Sequence, residues 1–149
     1  MNDEYFMNQA IALAKEAAEE GEVPVGAVVV LDGKIVGAGR NRREISKNAL
    51  AHAEIEAINE ACRTLGGWRL WQCDMYVTLE PCPMCTGAII NSRIKRLVYG
   101  ASDYKAGSCG SVVDLFSLPY NHKPEVVSGV MQEECAALLT DFFKKLRKK

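Results

Sequence analysis

Met75-Tyr76-Val77-Thr78-Leu79-Glu80-Pro81-Cys82-Pro83-Met84-Cys85 carries the chain from a buried strand directly into a helix. Residues 75–79 form an apolar, β-prone run. Pro83 then stands in a first helical turn, where its missing amide has no intrahelical acceptor to lose. A strand that feeds a helix through so short a joint belongs to an α/β architecture, and such junctions are natural sites. The i, i+3 spacing of Cys82 and Cys85 places both sulfurs on one face of that first turn. There the helix dipole and the unpaired amides favour thiolate over thiol.

Upstream, Ala51-His52-Ala53-Glu54 opens another helix. Residues 51 to about 63 are expected to be helical, with Ala53, Ala57, Ile58 and Ala61 recurring on one face and His52 in the first turn. In mid-helix His52 and Glu54 would point almost oppositely, but at a helix end they can serve one site. His52, Cys82 and Cys85 together supply one imidazole and two thiolates, the donors zinc prefers, and three protein ligands leave a tetrahedral position for water. Water on zinc is acidic enough to react near neutral pH if an unligated base moves its protons, which makes Glu54 the candidate catalytic residue.

Alone, a CxxC also fits a redox pair or half of a structural zinc site, and an HxE alone carries little. The combined H-x-E…P-C-x-x-C pattern indicates a zinc-dependent nucleobase deaminase. A closed structural site would need a fourth ligand from Cys62, Cys73, Cys109, Cys135 or His122.

The rest of the chain fits around these two helices. Residues 3 to about 20 carry Phe6, Met7, Ala10, Ile11, Ala14, Ala17 and Ala18 at helical spacing, with acidic residues early, and Gly21 ends that helix. Residues 25–31 and 34–40 read as two strands joined at Asp32-Gly33, a hairpin signal. Residues 41 to about 50 read as a polar loop. The Cys helix runs to about residue 91, followed by a strand at 95–99 and a Gly-rich loop over 100–110. A short helix at 112–118, a short strand at 126–128 and a helix from about 132 to the end complete the order. Hairpin and crossover connections together imply α/β, a three-layer α/β/α arrangement with a central mixed sheet of about five strands.

A length of 149 residues suits a single domain over 1–149, long enough to bury a core. About half the residues are apolar and the net charge is −1, so any attraction to nucleic acid must be local rather than global. Basic clusters lie at 40–47, 93–96 and 144–149. No apolar run is long enough to span a membrane. Met1-Asn2-Asp3-Glu4 begins neither a basic nor an apolar leader, so the expected compartment is the reducing cytoplasm, with the remaining cysteines as buried thiols.

Glu22-Val23-Pro24-Val25-Gly26-Ala27, Ala51-His52-Ala53-Glu54, Val77-Thr78-Leu79-Glu80-Pro81-Cys82, Tyr99-Gly100-Ala101 and Glu134-Cys135-Ala136-Ala137-Leu138-Leu139 together resemble the bacterial tRNA-specific adenosine deaminases, the TadA family, over nearly the whole chain. The resemblance implies the cytidine deaminase-like fold, one zinc ion (Zn2+) per chain and a homodimer. It implies hydrolysis of adenosine to inosine at the wobble position of a tRNA anticodon arm, in this family that of an arginine tRNA. Glu54 would pass protons to N1 and to the departing amino group. Asn41 would hydrogen-bond the flipped base, Val25 would press on its face, and Ala53 would join the substrate-binding wall. Asp103 and Lys105 would meet the RNA near the target nucleotide. From the residues alone, Asn41 equally closes a strand end, Val25 equally fills the core, and Asp103 equally fixes its loop.

Two stretches depart from the family pattern. Many members carry Asn-Arg-Pro and later Asp-Pro-Thr, where this chain has Asn41-Arg42-Arg43 and Asn48-Ala49-Leu50, which leaves the loop geometry beside the pocket open. A free-nucleobase deaminase acting on guanine or cytosine shares the metal motif, although Asp103-Tyr104-Lys105-Ala106-Gly107 looks more like the RNA-editing branch. A non-catalytic, zinc-stabilised RNA-binding module is the alternative from another class. An unligated Glu54 has no use there.

Overall fold

Alternation along the strands sorts the core into two halves. The computed structural model describes residues 2–148. Its elements are α1 (Asp3–Glu19), β1 (Gly26–Leu31), β2 (Lys34–Arg40), α2 (Arg43–Ser46), α3 (Ala53–Leu65), β3 (Asp74–Leu79), α4 (Pro83–Ser92), β4 (Arg96–Ala101), a 3-10 turn at Leu115–Ser117, β5 (Glu125–Val127) and α5 (Gln132–Arg147). Ala27, Val29, Met75, Val77, Leu97 and Tyr99 pack with Ala53, Ala57 and Ala61 of α3 and Ile89 and Ile90 of α4. The alternate residues Val28, Val30, Tyr76 and Val98 pack with Phe6, Met7, Ala10 and Ile11 of α1 and Cys135 of α5. The period of two along each strand therefore builds helix, sheet and helix layers.

The sheet order is β2-β1-β3-β4-β5. β1 pairs antiparallel with β2 and β3, whereas β3–β4 and β4–β5 are parallel, as expected for a mixed sheet of five strands. Asp32 and Gly33 both take positive φ, 50° and 76°, the geometry of a tight hairpin turn. Registers Gly26↔Arg40, Ala27↔Val77 and Leu79↔Ala101 bring the start of β1 and the ends of β2, β3 and β4 to one edge. The residues that follow those ends, together with the first turns of α3 and α4, gather there.

Close approach of α3 to the sheet depends on glycine. A Cβ at Gly39 would stand 2.4 Å from the Ala53 carbonyl oxygen and 2.6 Å from Glu56 Cβ, and one at Gly37 would meet the Ala57 carbonyl at 2.2 Å. Only residues without a side chain let the helix that carries His52 and Glu54 lie this near β2.

Four local expectations are corrected. His52 is the N-cap of α3 and not part of its first turn, with extended φ and ψ of −80° and 152°. The polar stretch 41–50 contains α2, a four-residue helix held from outside, since its cap residue Arg42 makes no side-chain cap bond. The helix expected at 112–118 reduces to the 3-10 turn, because Cys109 bridges Asp114 and the Asp114 carboxylate caps Phe116. Basic cluster 93–96 lies away from the site. Arg96 opens β4 at the opposite edge, ion-paired with Asp3 (2.6 Å), Asp74 (3.7 Å) and Glu125 (3.2 Å), and Arg93 ends α4 with its guanidinium on the Ile90 carbonyl. Lys149 lies outside the described residues.

α5 is amphipathic but loosely packed. Cys135 is its one buried residue among those described, while Phe143 and Leu146 are 41% and 55% exposed. No helix of the described residues is long and apolar enough to cross a membrane.

Candidate active site

Two helix starts meet at one point. His52 is the N-cap residue of α3 and Cys82 that of α4, so each side chain projects over a helix start. Cys85 sits in the first turn of α4, buried. His52 Nδ1 lies 3.7 Å from Cys82 Sγ and 3.6 Å from Cys85 Sγ, and all the donor atoms lie within 4.8 Å of one another. Tetrahedral zinc with ordinary bond lengths separates a nitrogen and a sulfur ligand by about 3.6 Å, so this donor set fits the ion. Among the described residues no fourth His, Cys, Asp or Glu joins the group. The spare candidates are engaged elsewhere: His122 Nε2 meets the Ile94 carbonyl, Cys109 lies against the Thr86 hydroxyl, Cys135 belongs to the other core, and Cys62 and Cys73 pack among core side chains outside the donor group.

The electrostatics follow from burial and from these contacts. Hydrogen bonding from Cys85, assisted by His52 and by the Cys85 amide, holds Cys82 down at about 4. Cys85 is pushed up, first by sharing its proton with Cys82 and then by burial. His52 is raised, chiefly by its bond to Cys82. Glu54 is 4% exposed and outside the donor group, and burial pushes its carboxyl up to about 7.

A cavity of about 220 Å³ opens over this centre. Its wall includes Val25, Asn41, Arg43, His52, Ala53, Glu54, Glu80, Cys82, Asp103 and Ala106. Val25, Asn41, Ala53 and Asp103, expected from the sequence to bind substrate, all line this cavity. Lys105 does not line it; its side chain is exposed, and its amide bonds Asp103 Oδ1. The Asn41 amide group donates to the Val23 carbonyl (3.1 Å) and accepts from Arg43 N (3.2 Å), which leaves one N–H and one acceptor position for a ligand.

The sequence placed Arg43 only in a basic cluster and assigned no role to Glu22 or Glu80. Arg43 lines the cavity. Glu22 and Glu80 are buried carboxylates that bind backbone amides of the two loops beside it. The available signal was an acidic residue beside each of two otherwise apolar strands, since a buried carboxylate must find partners.

Comparison with known proteins agrees with the centre. A profile of the MafB19-like deaminases matches residues 1–147. The tRNA-specific adenosine deaminase of Bacillus subtilis (strain 168) is 51% identical over 148 residues, 99% of this chain and 92% of the relative. A solved structure from a study of A-to-I editing by tRNA:A34 deaminases at the wobble position of transfer RNA superposes with a TM-score of 0.88 at 48% identity, covering 91% of this chain and 99% of that one. The guanine deaminase of Bacillus subtilis superposes with a TM-score of 0.68 at 34% identity, covering 100% of this chain and 96% of that one. The chain belongs to the tRNA-specific adenosine deaminase family, within the MafB19-like deaminases.

Proposed function

We propose that the protein is a zinc-dependent hydrolase that converts adenosine to inosine at the wobble position of a tRNA anticodon loop, by family likeness that of an arginine tRNA. The observation that carries the reading is the His52, Cys82, Cys85 donor triangle beside a buried Glu54 that is not part of it. Zinc, when bound, supplies the Lewis acidity that makes water a nucleophile near neutral pH. Glu54 takes one proton from the attacking water and delivers it to N1 of the base, then takes the second from the hydroxyl newly bonded to C6 and delivers it to the amino group as the C6–N bond breaks, so that water and adenosine yield inosine and ammonia. Asn41 offers its remaining N–H and acceptor position to the base edge. Val25 and Ala53 give the base apolar contact, and Asp103 faces the nucleotide from the loop after β4. Lys105, exposed outside the cavity, is assigned to RNA flanking the target.

The higher identity and higher TM-score with tRNA deaminases than with guanine deaminase support an RNA substrate over a free base. Family likeness further supports one deaminase domain over residues 1–149, a cytoplasmic location and a homodimer. Sedimentation at micromolar concentration checks the last, and a monomer would refute it. Ammonia release from an anticodon stem-loop, set against free adenine, guanine and cytosine, tests the substrate. Cys85→Ala should lose zinc and activity together. Glu54→Ala should keep zinc and RNA binding yet release no ammonia, and near-normal turnover in that variant would overturn Glu54 as the proton carrier.

A further inference from the structure

We propose that Glu22 and Glu80, two buried carboxylates outside the metal-donor group, are positioning residues that hold the two loops of the base pocket and thereby set how tightly the target nucleotide is bound. The inference rests on the deaminase reading for its substrate and on hydrogen-bond geometry for its substance.

Glu22 is 1% exposed and acts across the fold. Its Oε1 accepts from Glu44 N at 3.2 Å and its Oε2 from Ile45 N at 2.8 Å. These are first-turn amides of α2, which Arg42 at the cap position leaves without a side-chain acceptor. Asn41 Oδ1 takes the preceding amide, that of Arg43, at 3.2 Å. Asn41 and Arg43, both in the cavity wall, are thus fixed by a carboxylate about twenty residues away in sequence.

Glu80, 2% exposed, does the same for the loop after β4. Oε1 accepts from Asp103 N (3.0 Å) and from the Ser111 hydroxyl, and Oε2 accepts from Cys109 N (3.0 Å) and Ser111 N (3.1 Å). A carboxylate has about four acceptor positions, and all are filled. Asp103, so anchored, accepts from the amides of Lys105 and Ala106 and forms one side of the cavity together with Ala106. Gly107 permits this packing, because a Cβ there would stand 2.4 Å from the carboxyl carbon of Glu80 and 2.4 Å from the Asp103 carbonyl oxygen. A glutamine at either position replaces an acceptor oxygen with a donor that faces an amide. Glu80→Gln sets its NH2 against at least one such donor within a group of four, and Glu22→Gln against one of two.

The test uses zinc-loaded full-length enzyme and an anticodon stem-loop. KM is expected to rise about tenfold in Glu22→Gln and about tenfold to a hundredfold in Glu80→Gln. Zinc content should be unchanged and kcat per bound zinc should stay within about threefold. Reduced thermal stability or zinc loading with an unchanged KM would mean a merely structural role and would overturn the proposal. Ser111→Ala, which removes a single donor to Glu80, should raise KM by about threefold, and an unchanged KM there refutes the Glu80 half even if Glu80→Gln does not fold. Amide exchange provides a readout that needs no substrate. In wild type the amides of Glu44, Ile45, Asp103, Cys109 and Ser111 should be protected, with the first two released by Glu22→Gln and the last three by Glu80→Gln. Peptide-like exchange in wild type would overturn the clamps. If wild type deaminates no stem-loop, the substrate reading fails while the exchange pattern still judges them.

Discussion

Cations free to meet phosphate are fewer near the pocket than the sequence suggests. Arg40 is bound by Glu20 at 2.8 Å, with Glu16 at 4.0 Å, and Arg96 is ringed by carboxylates at the opposite edge of the sheet. Arg43 and Lys47 remain on the loop, and they share a groove with Phe142, Phe143 and Leu146 of α5. At about 100° per residue around a helix, Lys145 and Arg147 flank the stripe formed by those three apolar residues, whereas Lys144 and Lys148 fall on the opposite face. If RNA runs along this groove, Lys145→Gln/Arg147→Gln removes two phosphate contacts and Lys144→Gln/Lys148→Gln removes none. Each contact is worth about 0.7 in the slope of log affinity against log salt for a single strand. The first double variant should therefore lose about 1.4 from the slope, so that its affinity falls about sevenfold less than wild type between about 50 and 200 mM salt. Anticodon-arm binding by fluorescence anisotropy across that range reads the slopes. Equal slopes for the two double variants, or a wild-type slope in both, would refute the placement of RNA on this groove.

Asp3→Asn should cost about 1–2 kcal/mol at pH 7 in urea unfolding, because Asp3 accepts from Arg96 and Tyr76 at a partly exposed position. Its carboxyl is held below the ordinary 3.8, chiefly by the Arg96 bonds, so the stabilisation is complete above that value and is lost as pH falls through the lower folded-state pKa. A variant penalty that does not shrink as pH falls below 3.8 would refute the ion pair as its source. Gly39→Ala should force α3 off β2, costing about 1–3 kcal/mol and lowering kcat at least tenfold, as measured by thermal unfolding and ammonia release.

The layers of the fold were legible because strands buried on both faces read as continuous apolar runs, as at 25–31 and 75–79, while α1 keeps its buried residues on one helical face. The His52, Cys82, Cys85 cluster was legible because few residue types bind zinc and their spacing at a helix start is restricted. What stayed hidden depends on partners distant in sequence. Nothing within residues 41–50 announces α2, whose amides are satisfied by Glu22. Arg93 and Arg96 read as basic surface, yet a parallel crossover carries them to the edge opposite the cavity, where carboxylates and carbonyls consume them. The apolar pattern at 112–118 suggested a helix, but Val112 and Val113 are exposed and only Phe116 turns inward.

Placing two metal donors at N-cap positions separates the chemistry from its specificity. An N-cap residue has extended backbone, as His52 and Cys82 do, and projects over its helix end. The donor triangle is then set by the relative placement of α3 and α4, which pack on the same face of the sheet and are fixed there by buried alanine, isoleucine and glycine contacts. The loops that shape the cavity contribute no donor to that triangle. Each is held instead by its own buried carboxylate through backbone amides, a contact that leaves the loop's side chains free to vary. This division explains how a chain with Arg43 and Asn48-Ala49-Leu50 in that loop brings His52, Cys82 and Cys85 to zinc-binding distances. Substitutions in the loop are therefore expected to change the contour of the cavity, while the helix starts keep the donor triangle unaltered.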